Sequence, residues 1–511
     1  MFNSLRHMGR LIRVGYTLSR HDALMDLLSL FGEEPKMIGR FRQLRKTKST
    51  QKGTGYSPLV DAFQSLGPSF IKIGQAMATR PDIVGPDVAL DLMRLQDNVP
   101  PFDGAKAVQI IEQELDAPLD DLFRDFDITP VAAASIAQVH FATTKDGRRV
   151  AVKVLRPDIE KAFARDLESF LWLAKLMERF SANIRRLKPS SVVDTIADTI
   201  ALEMDLRYEA AAASELKENM ADHADYMVPD VDWDLSRRRV LTTTLVDGVP
   251  FSQKDRIVEQ NFNRKKLAES LIHSFLNQAL DHGFFHADLH QGNLFACSGD
   301  KITAIDFGIM GRIDKKTRRC LAQILYGFLK RDYDLVARAH FDIGYVPQDQ
   351  SVEKFTQAIR AIGDPIVGKP VSEISAGNLL AQLFETTETF NMQTQPQLLL
   401  LQKTMVTVEG VALDLYPEIN MWETSRPLVE KWMLDNLGPQ AKVRDFVETT
   451  LDTLQRLPKI IDDLEDLARA ARKFEKNARA GRRSALRLFF YGLSGGVFGS
   501  IFLFLLYKSF N

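Results

Sequence analysis

The stretch from Phe284 to Asp306 restricts this chain more than any other. It reads Phe-Phe-His-Ala-Asp-Leu-His-Gln-Gly-Asn-Leu-Phe and, after a short run, Ala-Ile-Asp-Phe-Gly. Asp288, Asn293 and Asp306 place a carboxylate, a carboxamide and a second carboxylate in close order. That set suits chemistry at a phosphate. One carboxylate orients or deprotonates a nucleophile, and two oxygen donors hold Mg²⁺ beside the phosphates. Asp288 suits the first role, and Asn293 with Asp306 the second. His282, His286 and His290 recur every four residues and would share one face of a continuous helix as a transition-metal site. Gly283 and Gly292 interrupt any such helix, so the spacing of the oxygen donors explains the segment better.

His286-Ala287-Asp288 with Asn293 follows the protein-kinase pattern H-R-D-x-x-x-x-N, and Asp306-Phe307-Gly308 is a literal D-F-G. Either motif alone is weak, because an aspartate can simply cap a turn and D-F-G occurs by chance. In order and at kinase-like separation they are specific. Upstream, Asp146-Gly147 signals a hairpin, and the returning strand carries Val150-Ala151-Val152-Lys153, close to V-A-I-K. Lys153 is therefore the candidate contact to nucleotide phosphates. The loop before it departs from kinases. Val131, Ala132, Ala133, Ala134, Ser135, Ile136, Ala137, Gln138 and Val139 stand where glycines would let backbone amides approach phosphate. Alanine disfavours positive φ, so this loop either covers the nucleotide by another backbone path or is a close-packed turn. A helix after Ser191 carries Glu203, Asp205 and Glu209, either a solvated face or partners for Lys153 and Lys72. Arg239–Leu245 reads as the strand leading into an interlobe hinge.

Before these motifs lies a helical unit that an ordinary kinase domain does not need. Pro58 opens a helix, and Phe63, Leu66, Phe70, Ile73 and Met77 share one of its faces. Lys72, Gln75 and Thr79 lie opposite, by themselves a solvated polar face. Pro81 ends this helix. A second helix from Pro86 has Val88, Leu92 and Leu95 inward and stops at Pro100-Pro101.

Lys72-Ile73-Gly74-Gln75, the alanine-rich run Ala132–Gln138, Lys153, Glu203 with Asp205, Asp288, Asn293 and Asp306 together resemble the UbiB family of atypical kinase-like proteins over roughly residues 60 to 310. The resemblance implies a kinase-like fold that uses ATP and Mg²⁺ and serves ubiquinone biosynthesis at a membrane. It implies that the Lys72 helix folds over the nucleotide site, that Lys72 meets Glu203, and that Lys153 pairs with Glu209. It also implies that a protein substrate is kept from the usual groove. Ala137 departs from the family, many of whose members have glycine there. Two features of the sequence argue the same way about substrate. Ala287 replaces the arginine that commonly receives an activation-loop phosphate. After Gly308 the chain enters a helical pattern by about Lys316, with Leu321, Ile324, Leu325 and Phe328 inward and no A-P-E. The acceptor expected is a small molecule, a lipid or water.

The remainder of the chain bears on location. A net charge of −1 gives no global pull toward nucleic acid, and Cys297 with Cys320 make neither a disulfide framework nor a zinc pattern. The basic N-terminus lacks an apolar run and is no secretory signal. Leu5, Met8, Ile12 and Tyr16 recur at helical spacing, which fits a helix near anionic lipid or one packing on the domain. Residues 316 to about 480 read as helices broken near Gly344, Pro365, Pro370, Pro417 and Gly438, with Arg444–Ala480 a connecting arm. Leu488–Tyr507 is uncharged and long enough to span a bilayer, with Arg482, Arg483 and Arg487 before it and Lys508 after. The expected location is the bacterial inner membrane, single-pass, with the catalytic body cytoplasmic. Gly492 with Gly496, and Gly495 with Gly499, permit close helix association and hence a homodimer.

The expected fold is α+β: a two-lobed kinase-like domain with a helical N-terminal extension, extra C-terminal helices and one C-terminal transmembrane helix. Its segments are 1–57 (basic helical), 58–125 (extension), 126–250 (N-lobe), 251–443 (C-lobe with helical additions), 444–484 (arm) and 485–508 (span). Two functions stand against each other. One is an ATP-dependent kinase or ATPase acting on a polyprenyl-phenol intermediate. The other is a nucleotide-binding scaffold for other ubiquinone-biosynthetic proteins. Hydroxylation of the phenol has no support, since there is no flavin fingerprint or iron-ligand set.

Overall fold

The computed structural model describes residues 2–21, 23, 57–78, 88, 91–92, 95, 100–180, 188–365, 386, 389–392 and 396–438. Its first helix, α1 (Phe2–Arg20), buries Leu18 and partly buries Val14 against the next helices, while Arg10 pairs with Asp166 and His7 Nδ1 meets Ser169 Oγ at 3.1 Å. The apolar stripe Met8, Ile12 and Tyr16 faces outward, 49%, 66% and 69% exposed.

The single helix expected from Pro58 is two. Ser57 caps α2 (Pro58–Leu66), Gly67 turns the chain at φ 102°, and Pro68 opens α3 (Pro68–Ala78). Gly67 stops one helix because only glycine adopts that φ easily, and Pro68 starts the next because its missing N–H costs nothing at a first turn. The polar face is not solvated either. Lys72 is buried, as are Leu92 and Leu95. Thr79 and most of the second predicted helix lie outside the described residues.

Next come α4 (Gly104–Leu115), α5 (Leu119–Leu122), β1 (Phe123–Phe126), β2 (Ala132–Ala133), β3 (Ala137–Thr144) and β4 (Arg149–Leu155). They are followed by α6 (Ile159–Phe180), α7 (Pro189–Glu203), α8 (Leu206–Asn219), β5 (Tyr226–Met227) and β6 (Val240–Thr244). An antiparallel sheet in the order β1-β3-β4-β6, with β2 on β3, forms the N-lobe. Period-2 alternation sorts β4. Val150, Val152 and Val154 pack with Ile110 and Ile111 of α4, and Lys153 emerges on the opposite face, opposite Val139 and Leu241. On that face one apolar cluster joins Ile73 of α3 to Ile136 and Ala137 of the alanine-rich run, Leu155, and Ile200, Leu206 and Ala210 of α7 and α8. Helix α3 of the N-terminal extension thus shares the N-lobe core.

The C-lobe comprises β7 (Gly248–Pro250), α9 (Lys254–Glu259), α10 (Arg264–Asn277), a π-helical turn Gln278–His282, β8 (Phe284–His286), β9 (Leu294–Cys297), β10 (Lys301–Ala304) and β11 (Met310–Arg312). Its sheet runs β5-β10-β9-β7, beside a β8–β11 ribbon. The helices α11 (Lys315–Lys330), α12 (Tyr333–Ile343), α13 (Val352–Gly363), α14 (Pro396–Leu415) and α15 (Met421–Leu437) follow. The chain forms two compact units, Met1–Met433 and Leu434–Asn511. Among the described residues no helix is long and apolar enough to cross a membrane; the expected arm and span, Arg444–Ala480 and Leu488–Tyr507, lie outside them. Cys297 and Cys320 are buried free thiols.

Candidate active site

The expected helix carrying Glu203, Asp205 and Glu209 is broken. Glu203 ends α7, Asp205 caps α8 by accepting from Arg207 N at 3.1 Å, and Glu209 stands in the first turn of α8. The break sends the carboxylates to different partners. Lys72 Nζ meets Glu203 Oε2 at 2.8 Å, both largely buried. Lys153 Nζ donates to Glu209 Oε1 and Oε2 at 2.7 and 2.9 Å, and to Asp306 Oδ1 at 3.0 Å. Asp205 instead forms a bidentate pair with Arg207. Gln75 Nε2 donates to Leu95 O at 3.3 Å, tying α3 to its neighbour.

Lys153 between two carboxylates sets the electrostatics. Burial alone would lower its pKa, but Asp306 and Glu209 outweigh burial and hold the ammonium above its ordinary range. Enclosure would raise the Asp306 carboxyl, but Lys153, then Lys72 and His286, hold it well below the carboxylate range, although 45% of its side chain faces the cleft. Glu209 is the weaker acid of the two. Burial, opposed by Lys153 and reinforced by Asp306, pushes it up to about 7. Asp306 also sits at φ 61°, a left-handed conformation uncommon for a side-chain-bearing residue and frequent at functional sites.

The alanine-rich run is a tight hairpin containing no left-handed residue. Ala132 and Ala133 pair with Val139 and Gln138, and Ala134 N donates to Ala137 O at 2.8 Å. Val131 and Ala132 are exposed, whereas Ser135 and Ile136 are buried. The Ser135 hydroxyl has no hydrogen-bond partner among the described residues. Gln138 turns into the lobe, accepting from Phe102 N at 2.9 Å and meeting His140 Nε2 at 2.9 Å. Arg156, which the motif reading passes over, braces the hairpin by donating to Ala134 O from Nε and Nη2 at 3.1 and 2.9 Å.

Across the cleft, the three histidines have separate partners. His282 ends the π-helical turn before Gly283 (φ 63°) and lies edge-on to His223. His286 is fully buried, and burial lowers its pKa toward the neutral ring. Its Nδ1 accepts from Asp288 N at 3.1 Å, leaving Nε2–H to donate to Ile305 O at 3.1 Å. One neutral tautomer thus ties the Asp288 loop to the strand entering Asp306. Asn293 Nδ2 donates to Asp288 O at 3.1 Å, which directs the amide oxygen elsewhere, and Asn293 O accepts from Ile305 N at 2.9 Å. The part-exposed Asp306 carboxylate and the Asn293 carboxamide oxygen are hard donors of the kind Mg²⁺ takes.

The third wall escapes motif reading. Thr404 of α14 is buried, its hydroxyl shared between Leu400 O at 2.8 Å and Ala287 O at 3.2 Å, Gln291 pairs with Asp414, and Lys403 Nζ stands 3.9 Å from Asp288 Oδ1. These residues lie more than a hundred positions from the loop they touch, in a helix without a catalytic motif; apolar periodicity could have located α14 but not its contacts.

In comparison with known proteins, residues 94–340 match the family described as the ABC1 atypical kinase-like domain, and residues 359–420 match the UbiB helical domain. The chain is 40% identical over 505 residues to a probable protein kinase UbiB of Pseudomonas putida strain F1, covering 96% of this chain and 93% of that one. It is 42% identical over 440 residues to the protein of the same name from Aliivibrio fischeri strain MJ11, covering 85% and 81%. A solved structure, the Rv3197–erythromycin complex from Mycobacterium tuberculosis, aligns with TM-score 0.49 and 23% identity over 76% of this chain and 95% of that one.

Proposed function

This chain belongs to the UbiB family of atypical kinase-like proteins, and from that premise we propose that it uses Mg-ATP in ubiquinone biosynthesis to phosphorylate or mobilise a polyprenyl-phenol lipid at the bacterial inner membrane. The observation that carries the reading is Lys153, held by Glu209 and Asp306, with the strand entering Asp306 bonded to the Asp288–Asn293 loop. Asp288 orients the acceptor hydroxyl or water and takes its proton. Lys153, positioned by Glu209, would contact the nucleotide phosphates. Asn293 and Asp306 would hold Mg²⁺, which when bound neutralises charge on the phosphate oxygens. The alanine-rich hairpin covers the nucleotide. Lys72, Gln75 and Glu203 close the site on the side a peptide would approach.

Membrane attachment is part of the proposal. Leu488–Tyr507 spans the bilayer with the catalytic body cytoplasmic, and the outward stripe Met8, Ile12 and Tyr16, flanked by the exposed Arg13 and Arg20, lies on the anionic lipid surface. The buried Lys72–Glu203 pair favours a second reading, a nucleotide-binding scaffold for other ubiquinone-biosynthetic proteins, if its helix folds over the site as the family resemblance implies. Mg²⁺-dependent ATP turnover by the full chain in liposomes, with and without a polyprenyl phenol, separates the two. Turnover that rises with the phenol and disappears in Asp306→Asn supports the enzyme, and product analysis then distinguishes kinase from ATPase. ATP binding with no turnover supports the scaffold.

A further inference from the structure

The Asp288 carboxylate is flanked rather than consumed. Its Oδ2 lies 3.7 Å from His290 Nε2 and its Oδ1 3.9 Å from Lys403 Nζ, both beyond hydrogen-bond distance. His290 Nδ1 accepts from Gly292 N at 3.0 Å, which leaves the ring's other N–H toward Asp288. By contrast, Lys72 and Lys153 are each held by a carboxylate within 3 Å. Lys403 has 31% of its side chain accessible and meets its carboxylate across a gap that one oxygen atom of a reactant can bridge.

Its position is built, not incidental. The neighbouring Thr404 is 1% exposed and its hydroxyl, 2.8 Å from Leu400 O of its own turn, also lies 3.2 Å from Ala287 O, so α14 is packed against the residue preceding Asp288. Gln291, three residues beyond Asp288, pairs with Asp414 of the same helix, whose other oxygen meets Lys254 Nζ at 3.1 Å. Two anchors ten residues apart, about 15 Å along a helix, hold α14 along the loop. An exposed surface lysine would lack such fixing and contribute little.

We propose that Lys403 is a catalytic residue of the transfer step, its ammonium meeting the phosphoryl oxygens as charge shifts between nucleotide and acceptor. The proposal rests on the phosphoryl-transfer reading above. In that step the acceptor oxygen forms a bond to the γ-phosphorus, and the bond from that phosphorus to the bridging oxygen breaks. ADP leaves with the electron pair, and the acceptor proton passes to Asp288. Lys403 forms no covalent bond. It offsets charge on the acceptor side, as Lys153 does on the nucleotide side.

The test uses full-length protein in the same liposomes. Lys403→Met should lower turnover by about 10- to 100-fold, while the Mg-ATP dissociation constant stays within about twofold and the melting temperature is unchanged. Lys403→Arg should restore most of the rate, since a cation is retained. Wild-type turnover in Lys403→Met overturns the proposal, as does a loss confined to nucleotide affinity. If Lys403→Met and Lys403→Gln both unfold, Lys403 is a packing residue and the proposal is also overturned. If Asp306→Asn abolishes turnover and Lys403→Met does not, only this proposal fails; if the wild type never turns over, the phosphoryl-transfer reading fails with it.

Discussion

At the scale of single residues, one ammonium between two unequal acids organises the cleft. Glu209 is enclosed and protonates near neutrality, while Asp306 keeps its charge. Since Glu209 binds its proton more tightly folded than unfolded, its contribution to stability is complete below about pH 4.5 and is lost as pH rises through about 7. In Glu209→Gln this pH-dependent part is absent. The stability of the variant relative to wild type should therefore rise between pH 5 and pH 8, by on the order of 2 kcal/mol. Denaturant titrations at several pH values measure this, and a flat difference would mean that Glu209 titrates as an ordinary carboxylate. Lys153 was legible in the sequence by motif position, and its pairing with Glu209 through the family resemblance. Their inequality was not, because it comes from enclosure by several elements.

At the scale of elements, the break between α2 and α3 and the glycine inside α3 set where the cover lies. A Cβ on Gly74 would stand 2.6 Å from Phe63 Cδ2 and closer still to Leu95 Cδ1, so the helix approaches its neighbours only with hydrogen at this position. Gly74→Ala should gain up to about 1 kcal/mol of helix propensity and lose about 1–3 kcal/mol to overpacking. The net outcome is a lower denaturation midpoint with an unchanged slope. The apolar periodicity of Phe63, Phe70 and Ile73 is in the sequence, and all three are buried. The division of one apparent helix into two is also there, in Gly67-Pro68, but a continuous apolar stripe across that dipeptide conceals it. The break between Glu203 and Glu209 carries no such marker. Leu206 N donates to Arg238 O at 2.9 Å, a contact from distant sequence at the start of α8.

At the scale of the whole molecule, α1 has one face on the body and another outward. It packs on the body through His7, Arg10, Val14 and Leu18, and its apolar stripe is a different face. A chain lacking residues 485–511 should therefore keep a weaker, salt-sensitive association with anionic vesicles, and Ile12→Asp with Tyr16→Asp should abolish it. The full-length chain should stay bound with or without those substitutions. Vesicle flotation reads all four cases. Loss of all association on truncation alone would show that the stripe does not meet lipid.

Residue identity and spacing alone determined the kinase-like family and two-lobed fold. They also determined the order of chemistry-bearing residues from Lys72 to Asp306, because local motifs report which groups a phosphate site must contain. Only the tertiary structure decided that Lys72 is buried rather than solvated and that Asp205 caps a helix instead of entering the cleft. It alone brought Thr404 and Lys403 to the Asp288 loop from more than a hundred residues away. Short motifs encode chemistry within a segment. Burial, charge coupling and contacts between remote helices arise only when the segments pack.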